Sequence, residues 1–470
     1  MRYHERRLEP TLKDPLAAAV RLSRDAGFDQ HVLYEANGCW SFAGGALRAI
    51  TVDRRGARWT DEPPDERADP FAQIARRLRT PPIEGWRAYG WIAFECGDPD
   101  PDPDERADPQ PLMHLVIPEV EVRMTPTQTL IRAADPDAVA RLAALIETAR
   151  SADSGSDSGP DPGAETRPRP APLPLDEPLQ EPCDEDGAGF RAGVADAIDA
   201  IATSDLRKVV ISRRVTLRSA LDFAATYERG RRANTPARSF LVHLGGLRAA
   251  GFSPETILEI DRLTATAHVL AGTRAMGTDP ETTERLRRGL LDDPKEVYEH
   301  AVSVAAALED LTGICRPGST AVTRFMSVRQ RGSVQHLAST MAGELPAAAS
   351  PWDALAAMLP GSAATGAPRD LARQAIRRIE PQPRGLYGGA VLTCDADGAL
   401  DAALALRTVF SQGGTTWLQA GAGITSQSRP DREYEETREK LRTIAPFLVT
   451  DSADTEPAPT GSRAAPREQR

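Results

Sequence analysis

Two pairs of glutamates carry the most concentrated chemistry in this chain. Glu433 and Glu436 lie in GAGITSQSRPDREYEETREK (residues 421–440), with Lys440 four positions further on. Glu296 and Glu299 lie in DPKEVYEH (residues 293–300). On a helix, spacings of three and four put side chains on one face, so each pair is predicted to aim two carboxylates the same way. If both helices faced one point, they could hold a divalent cation. Mg²⁺ takes oxygen ligands, usually one or two carboxylates with waters and substrate oxygens; four exceed that need, and some would act through water. The plain alternative is two solvated helices. Asp293 as N-cap, Pro294 at the first helical position and Glu296 at the third make a capping box. Ser428 and Pro430 read as start signals for the second helix, where Glu436 and Lys440 would form a pair contributing about 0.3–0.5 kcal/mol.

Other positions suit acid–base work or anion binding. Lys208 opens the β-branched run of RKVVISRR. A lysine there is ordinarily at a solvated strand edge, but one desolvated near a cation can act as a general base. Glu255 closes GFSPE; in solvent it would be unremarkable, whereas in an apolar pocket it would stay protonated and could deliver that proton to a leaving hydroxyl. Such a base and acid on opposite faces of a small molecule would suit exchange of a hydroxyl for water. His336, in RGSVQHLAST, reads as a hydrogen-bonded buried histidine or as a group of the same site. Arg384, Tyr387 and Arg407 lie in PRGLYGG and ALRTVF; a desolvated guanidinium such as Arg407 usually pairs with an anion. Gly421 and Gly423 could offer backbone N–H groups to a carboxylate. GAG alone is too short for a dinucleotide fingerprint.

The elements that must position these residues come from the rest of the 470-residue chain. It is 40% hydrophobic and 27% charged, as soluble globular proteins are. A net charge of −11 without a basic stripe argues against nucleic acid. No signal peptide and no run of about eighteen apolar residues is visible. Five scattered cysteines without CxxC fit a reduced, cytoplasmic protein. Gly90 to Phe94 is predicted as a buried strand, as are Lys208–Arg213, Ser239–Leu244 and Thr256–Ile260, with helices from Phe190 to about Ile201 and from Pro294 to about Leu311. PDERADP occurs twice, at residues 64–70 and 103–109, in acidic, proline-rich surroundings that read as exposed loops. Residues 151–183 nearly lack large apolar groups and read as a disordered linker, and 451–470 as a tail. Residues 1–150 and 184–450 are then two parts of one domain.

Several of these stretches occur together in a known family. LAGTRAMG (270–277), KEVYEH (295–300), RGSVQHLAST (331–340), PRGLYGGAV (383–391), Leu406-Arg407 and AGAGI…EYEETREK (420–440) resemble the chorismate-utilising enzymes, with the nearest likeness to the salicylate synthases. The resemblance spans most of 184–450, with an echo in AYGWIAFE (88–95). It implies an α/β (α+β) domain of two packed antiparallel sheets with helices outside, and a monomer. It implies Mg²⁺ on Glu299, Glu433 and Glu436, with Glu296 close by. Lys208 would activate water at C2 of chorismate and Glu255 would protonate the C4 hydroxyl. Tyr387, Arg407, Gly421, Gly423 and Lys440 would bind the substrate carboxylates and the metal shell; Thr273 and His336 would line the ring and enolpyruvyl pocket.

Subgroup marks narrow the expectation. Ala271 stands where aminodeoxychorismate synthases carry a lysine, and Lys208 where anthranilate synthases tend to carry glutamine. The resemblance thus favours water as nucleophile, isochorismate as first product, then pyruvate elimination to salicylate. Salicylate synthases usually show a threonine where this chain has Ala363. An isochorismate synthase that stops at the first product is therefore the alternative, ahead of an anthranilate-synthase-like component.

Overall fold

A computed structural model of the chain describes residues 1–9, 12–54, 56–59, 69–97, 111–154, 183–332 and 334–451. The expected linker, the second PDERADP and the tail fall almost wholly outside these residues. The first PDERADP closes differently from the loop expected: Asp69 caps the helix Pro70–Arg77, its Oδ2 accepting from the Ala72 N–H at 2.8 Å.

Two antiparallel sheets, of eleven and ten strands, form the centre. The first runs His4–Leu8, Thr129–Ala133, Val120–Met124, Cys39–Gly44, His31–Ala36, Arg238–Leu244, Leu247–Ser253, Thr408–Gln412, Thr415–Ile424, Lys208–Leu217, Gly366–Ala367. The second runs Ala321–Arg331, Val334–Glu344, Thr264–Ala275, Thr256–Asp261, Leu400–Leu404, Ala390–Asp395, Arg87–Ile92, Met113–Ile117, Arg48–Asp53, Gly56–Trp59. Both sheets mix strands from before and after the stretch 155–182.

Central strands such as Arg238–Leu244 and Ala390–Asp395 are buried on both faces, which is why they read as largely apolar runs, whereas the edge strands His4–Leu8 and Ala321–Arg331 are polar and largely exposed. In Arg238–Leu244, Phe240, Val242 and Leu244 face the core between the sheets, with Tyr89, Trp91, Val391 and Phe410. Leu241, one residue out of phase, packs on the opposite side with Leu16, Leu142 and Tyr227. Trp352 and Leu355 of Pro351–Met358 and Val304, Ala307 and Leu311 of Pro294–Ile314 cover the second sheet. Each large apolar side chain so buried contributes about 1.5–3 kcal/mol relative to exposure. Among the described residues no helix is long and apolar enough to cross a membrane.

Gly90 to Phe94 departs from expectation at its end. The strand is Arg87–Ile92, and Phe94 opens a 3₁₀ turn. There its N–H leaves the ladder to donate to the Gly385 carbonyl at 2.8 Å. The helix after Ser428 also begins differently. Pro430 does sit in its first turn, but the cap residue is Arg429, without a side-chain bond. The Ser428 hydroxyl instead accepts from the Thr425 N–H at 3.1 Å.

Candidate active site

The two glutamate helices, Pro294–Ile314 and Pro430–Leu441, meet. Glu296, Glu299, Glu433 and Glu436 are all buried, none more than 4% exposed. The solvated-helix alternative is thereby excluded. The link between the helices is Lys295, a residue to which the sequence reading gave no role. Its ammonium lies 2.8 Å from Glu299 Oε2, 3.5 Å from Glu433 Oε1 and 3.6 Å from Glu296 Oε1. Asp293 caps its helix, Oδ1 accepting from the Lys295 N–H at 3.0 Å. The capping box is only half made, because Glu296 Oε2 accepts instead from the Thr273 N–H at 3.1 Å.

Charge in this cluster is uneven. Burial opposes it, but Lys295 and Lys208 hold the Glu299 carboxyl well below the usual carboxylate range. Burial and then the Glu436 carboxylate push Glu296 and Glu433 upward. Glu433 Oε2 and Glu436 Oε2 are buried acceptors with no hydrogen-bond partner among the described residues. Buried acceptors of that kind suit a hard cation. As placed, no three acidic, His or Cys groups among the described residues converge closely enough to hold a metal; the gap holds the Lys295 ammonium.

Lys208 is not at a solvated edge. It is 1% exposed, donates to Ser303 Oγ at 2.7 Å and pairs with Glu299 Oε1 at 3.1 Å. Gly423 makes room for this arrangement. A Cβ there would stand 2.1 Å from Glu299 Oε1 and 2.9 Å from Lys208 Cε. Glu255 is 2% exposed and accepts from the Leu270 N–H. Burial pushes its carboxyl up to about 8, against the Leu270 bond, Lys208 and Lys440.

Cationic groups gather opposite. Lys440 pairs with Glu436 at 2.7 Å, the expected helical spacing, and donates to the Gly421 carbonyl at 2.7 Å. It is the Gly421 carbonyl that Lys440 engages. Arg407 is half-buried at φ 52°, a conformation uncommon outside glycine. Its guanidinium donates to Thr443 Oγ1 at 3.0 Å and to the Lys440 carbonyl at 3.3 Å. Burial lowers it to about 10. His336 Nδ1 meets Thr273 Oγ1 at 3.1 Å, and its Nε2 has no partner among the described residues. Burial, helped by Arg407 and Lys440, keeps His336 neutral by lowering it well below the histidine range.

Glu255, Thr273, Glu299, His336, Ala363, Tyr387, Arg407, Gly421, Gly423, Glu436 and Lys440 line one cavity of about 60 Å³. That is room for a few waters, so a larger ligand needs its walls to give. Glu296, Glu433 and Lys208 stand behind this lining. Arg384 is absent from it and works as a brace. Its guanidinium donates to the Ala364 and Val210 carbonyls at 2.7 and 2.6 Å, and Nε to Glu380 at 2.9 Å. Glu95 accepts from the N–H groups of Arg384 and Gly385, fixing the turn that carries Tyr387.

Fold and cavity together define a two-sheet α/β protein that converges lysines, an arginine and glutamates on a small internal site. The chain belongs to the chorismate binding enzyme family, whose model matches residues 29–446. It is 37% identical to a salicylate synthase of Mycolicibacterium paratuberculosis, over 92% of this chain and 92% of that protein. It is 38% identical to anthranilate synthase component 1 of Streptomyces coelicolor, over 55% of this chain and 50% of that protein. Among solved structures, the menaquinone-specific isochorismate synthase of Escherichia coli shares the fold with TM-score 0.68 at 24% identity, covering 95% of this chain and 94% of that one. Anthranilate synthase component I of Streptococcus pneumoniae does so with TM-score 0.66 at 23% identity, covering 88% and 92%.

Proposed function

We propose that this protein is a Mg²⁺-dependent salicylate synthase converting chorismate, through isochorismate, to salicylate and pyruvate. The observation that carries the reading is the burial of Lys208 and Glu255 within electrostatic reach of each other, in a chain similar to a salicylate synthase along nearly its whole length. Lys208 takes a proton from water as its oxygen bonds to C2. Glu255, protonated at neutral pH, gives its proton to the C4 hydroxyl, which leaves as water while both ring double bonds shift along the ring. The hydrogen on C2 then passes to the methylene of the enolpyruvyl arm, the C3–O bond breaks, and pyruvate departs from an aromatic ring. That second step needs the arm held in its reactive conformer more than it needs acid or base. Tyr387, Arg407 and Lys440 bind the substrate carboxylates; His336 and Thr273 face the arm. Glu296, Glu299, Glu433 and Glu436 would hold Mg²⁺, which supplies positive charge to a substrate carboxylate and to the departing hydroxyl.

Turnover in H₂¹⁸O tests this chemistry. The phenolic oxygen of salicylate should carry the label, because it enters at C2 and is never lost. Unlabelled salicylate would reject water addition. One observation favours a second reading, release at isochorismate: Ala363 lines the cavity where salicylate synthases usually place a threonine. If the missing hydroxyl loosens the arm, Ala363→Thr should raise the pyruvate-to-isochorismate ratio, measured by chromatography of the products. An unchanged ratio would show that Ala363 does not set the outcome.

A further inference from the structure

The glutamate cage already contains a cation. Lys295 sits in the first turn of its helix, beside the cap, and is only 13% exposed. Its ammonium reaches three of the four glutamates, on both helices, at 2.8 to 3.6 Å. The two neighbouring lysines do less, Lys208 pairing with Glu299 and Lys440 with Glu436 alone. Two buried oxygens, Glu433 Oε2 and Glu436 Oε2, stay without partners. An ammonium is satisfied at hydrogen-bonding distance, whereas Mg²⁺ draws its oxygens in to about 2.0–2.1 Å. One point between these carboxylates cannot serve both ions, and two cations side by side in a buried site repel strongly.

We propose that Lys295 is the resident counter-cation of the metal-free protein, and that a divalent cation binds by displacing its ammonium from the cage. This rests on the cage being the Mg²⁺ site proposed above. In the metal-free state Lys295 offsets the mutual repulsion of three buried carboxylates, of which only Glu299 has a second lysine partner, Lys208. On metal binding the same ammonium becomes a competitor, so affinity for the metal is set below what the carboxylates alone would give.

Mn²⁺ is the probe, with free ion read by electron paramagnetic resonance and no substrate present. Lys295→Met keeps length and removes charge. It should bind Mn²⁺ at least about tenfold more tightly than wild type, melt at a lower temperature without metal, and regain the wild-type midpoint with saturating Mn²⁺. Lys295→Arg, which keeps the charge, should bind no more tightly than wild type. A second measurement needs no variant: reductive methylation of the wild-type protein, mapped by mass spectrometry. Saturating Mn²⁺ should speed modification of Lys295 and leave exposed Lys13 unchanged. If wild type binds Mn²⁺ but Lys295→Met binds it no better, or if Lys295 labelling is unaltered, the displacement is wrong and the metal site stands. If wild type binds no Mn²⁺, both are wrong.

Discussion

Glu255 shows how environment assigns a role to an ordinary residue. Burial pushes its carboxyl up to about 8, so below that pH it holds a proton to give and above it does not. Turnover should therefore hold near neutrality and fall as pH rises through about 8. Stability carries the same sign. The folded chain holds this proton more tightly than the unfolded chain, so the stability it adds below 4.5 is lost as pH rises from there to about 8. Glu255→Gln should cut turnover by about 10²–10⁴ and abolish that alkaline limb, as read by pyruvate release across pH. A variant that keeps wild-type turnover would remove Glu255 from the chemistry. The residue types were legible in sequence: a Glu after a turn, a Lys opening a strand, two Glu pairs. Their surroundings were not. Lys208 meets Ser303 across 95 positions, and no periodicity reports such a contact. Lys295 was closer to view, since it stands four residues before Glu299 and adjoins Glu296. Its i,i+4 spacing reads as a surface pair until the second helix arrives to bury it.

At the scale of elements, two helices and two paired strands carry the four glutamates, Lys208 and the two glycines. The strand Thr415–Ile424 pairs with Lys208–Leu217 so that Gly423 lies opposite Val210 and Gly421 opposite Ser212. Glycine is needed at 423 because Glu299 and Lys208 fill the space a Cβ would take. That steric demand was not legible in sequence, because a helix over 100 residues away leaves no local mark. Gly423→Ala should fold yet lose more than about tenfold in turnover, on the scale of a misplaced catalytic group. Gly289→Ala is the contrast, in the helix Pro280–Asp292 with nothing within 4 Å of the new Cβ. It should raise stability by about 0.5–1 kcal/mol and leave turnover alone. Thermal melts and initial rates on both variants check the pair; an active Gly423→Ala would contradict the packing argument. Helices announced themselves through Pro294 and Pro430, and strands through continuous apolar runs. Ends were less visible, as at Phe94, where a tertiary partner, Gly385, ended the strand.

For the whole molecule, the N-terminal residues are part of the catalytic scaffold. Arg87–Ile92 lies inside the second sheet, and Glu95 reaches the turn at Arg384 across 289 positions. The two-sheet architecture was implied by motifs in order along 184–450, whereas strand order was not, because pairings such as Arg238–Leu244 with His31–Ala36 depend on contacts no local pattern encodes. The central claim concerns what leaves this site. Purified protein given chorismate and Mg²⁺ should release salicylate, followed by its fluorescence, and pyruvate in equal amounts, and chelation with EDTA should stop both. Accumulation of isochorismate without pyruvate would contradict that claim.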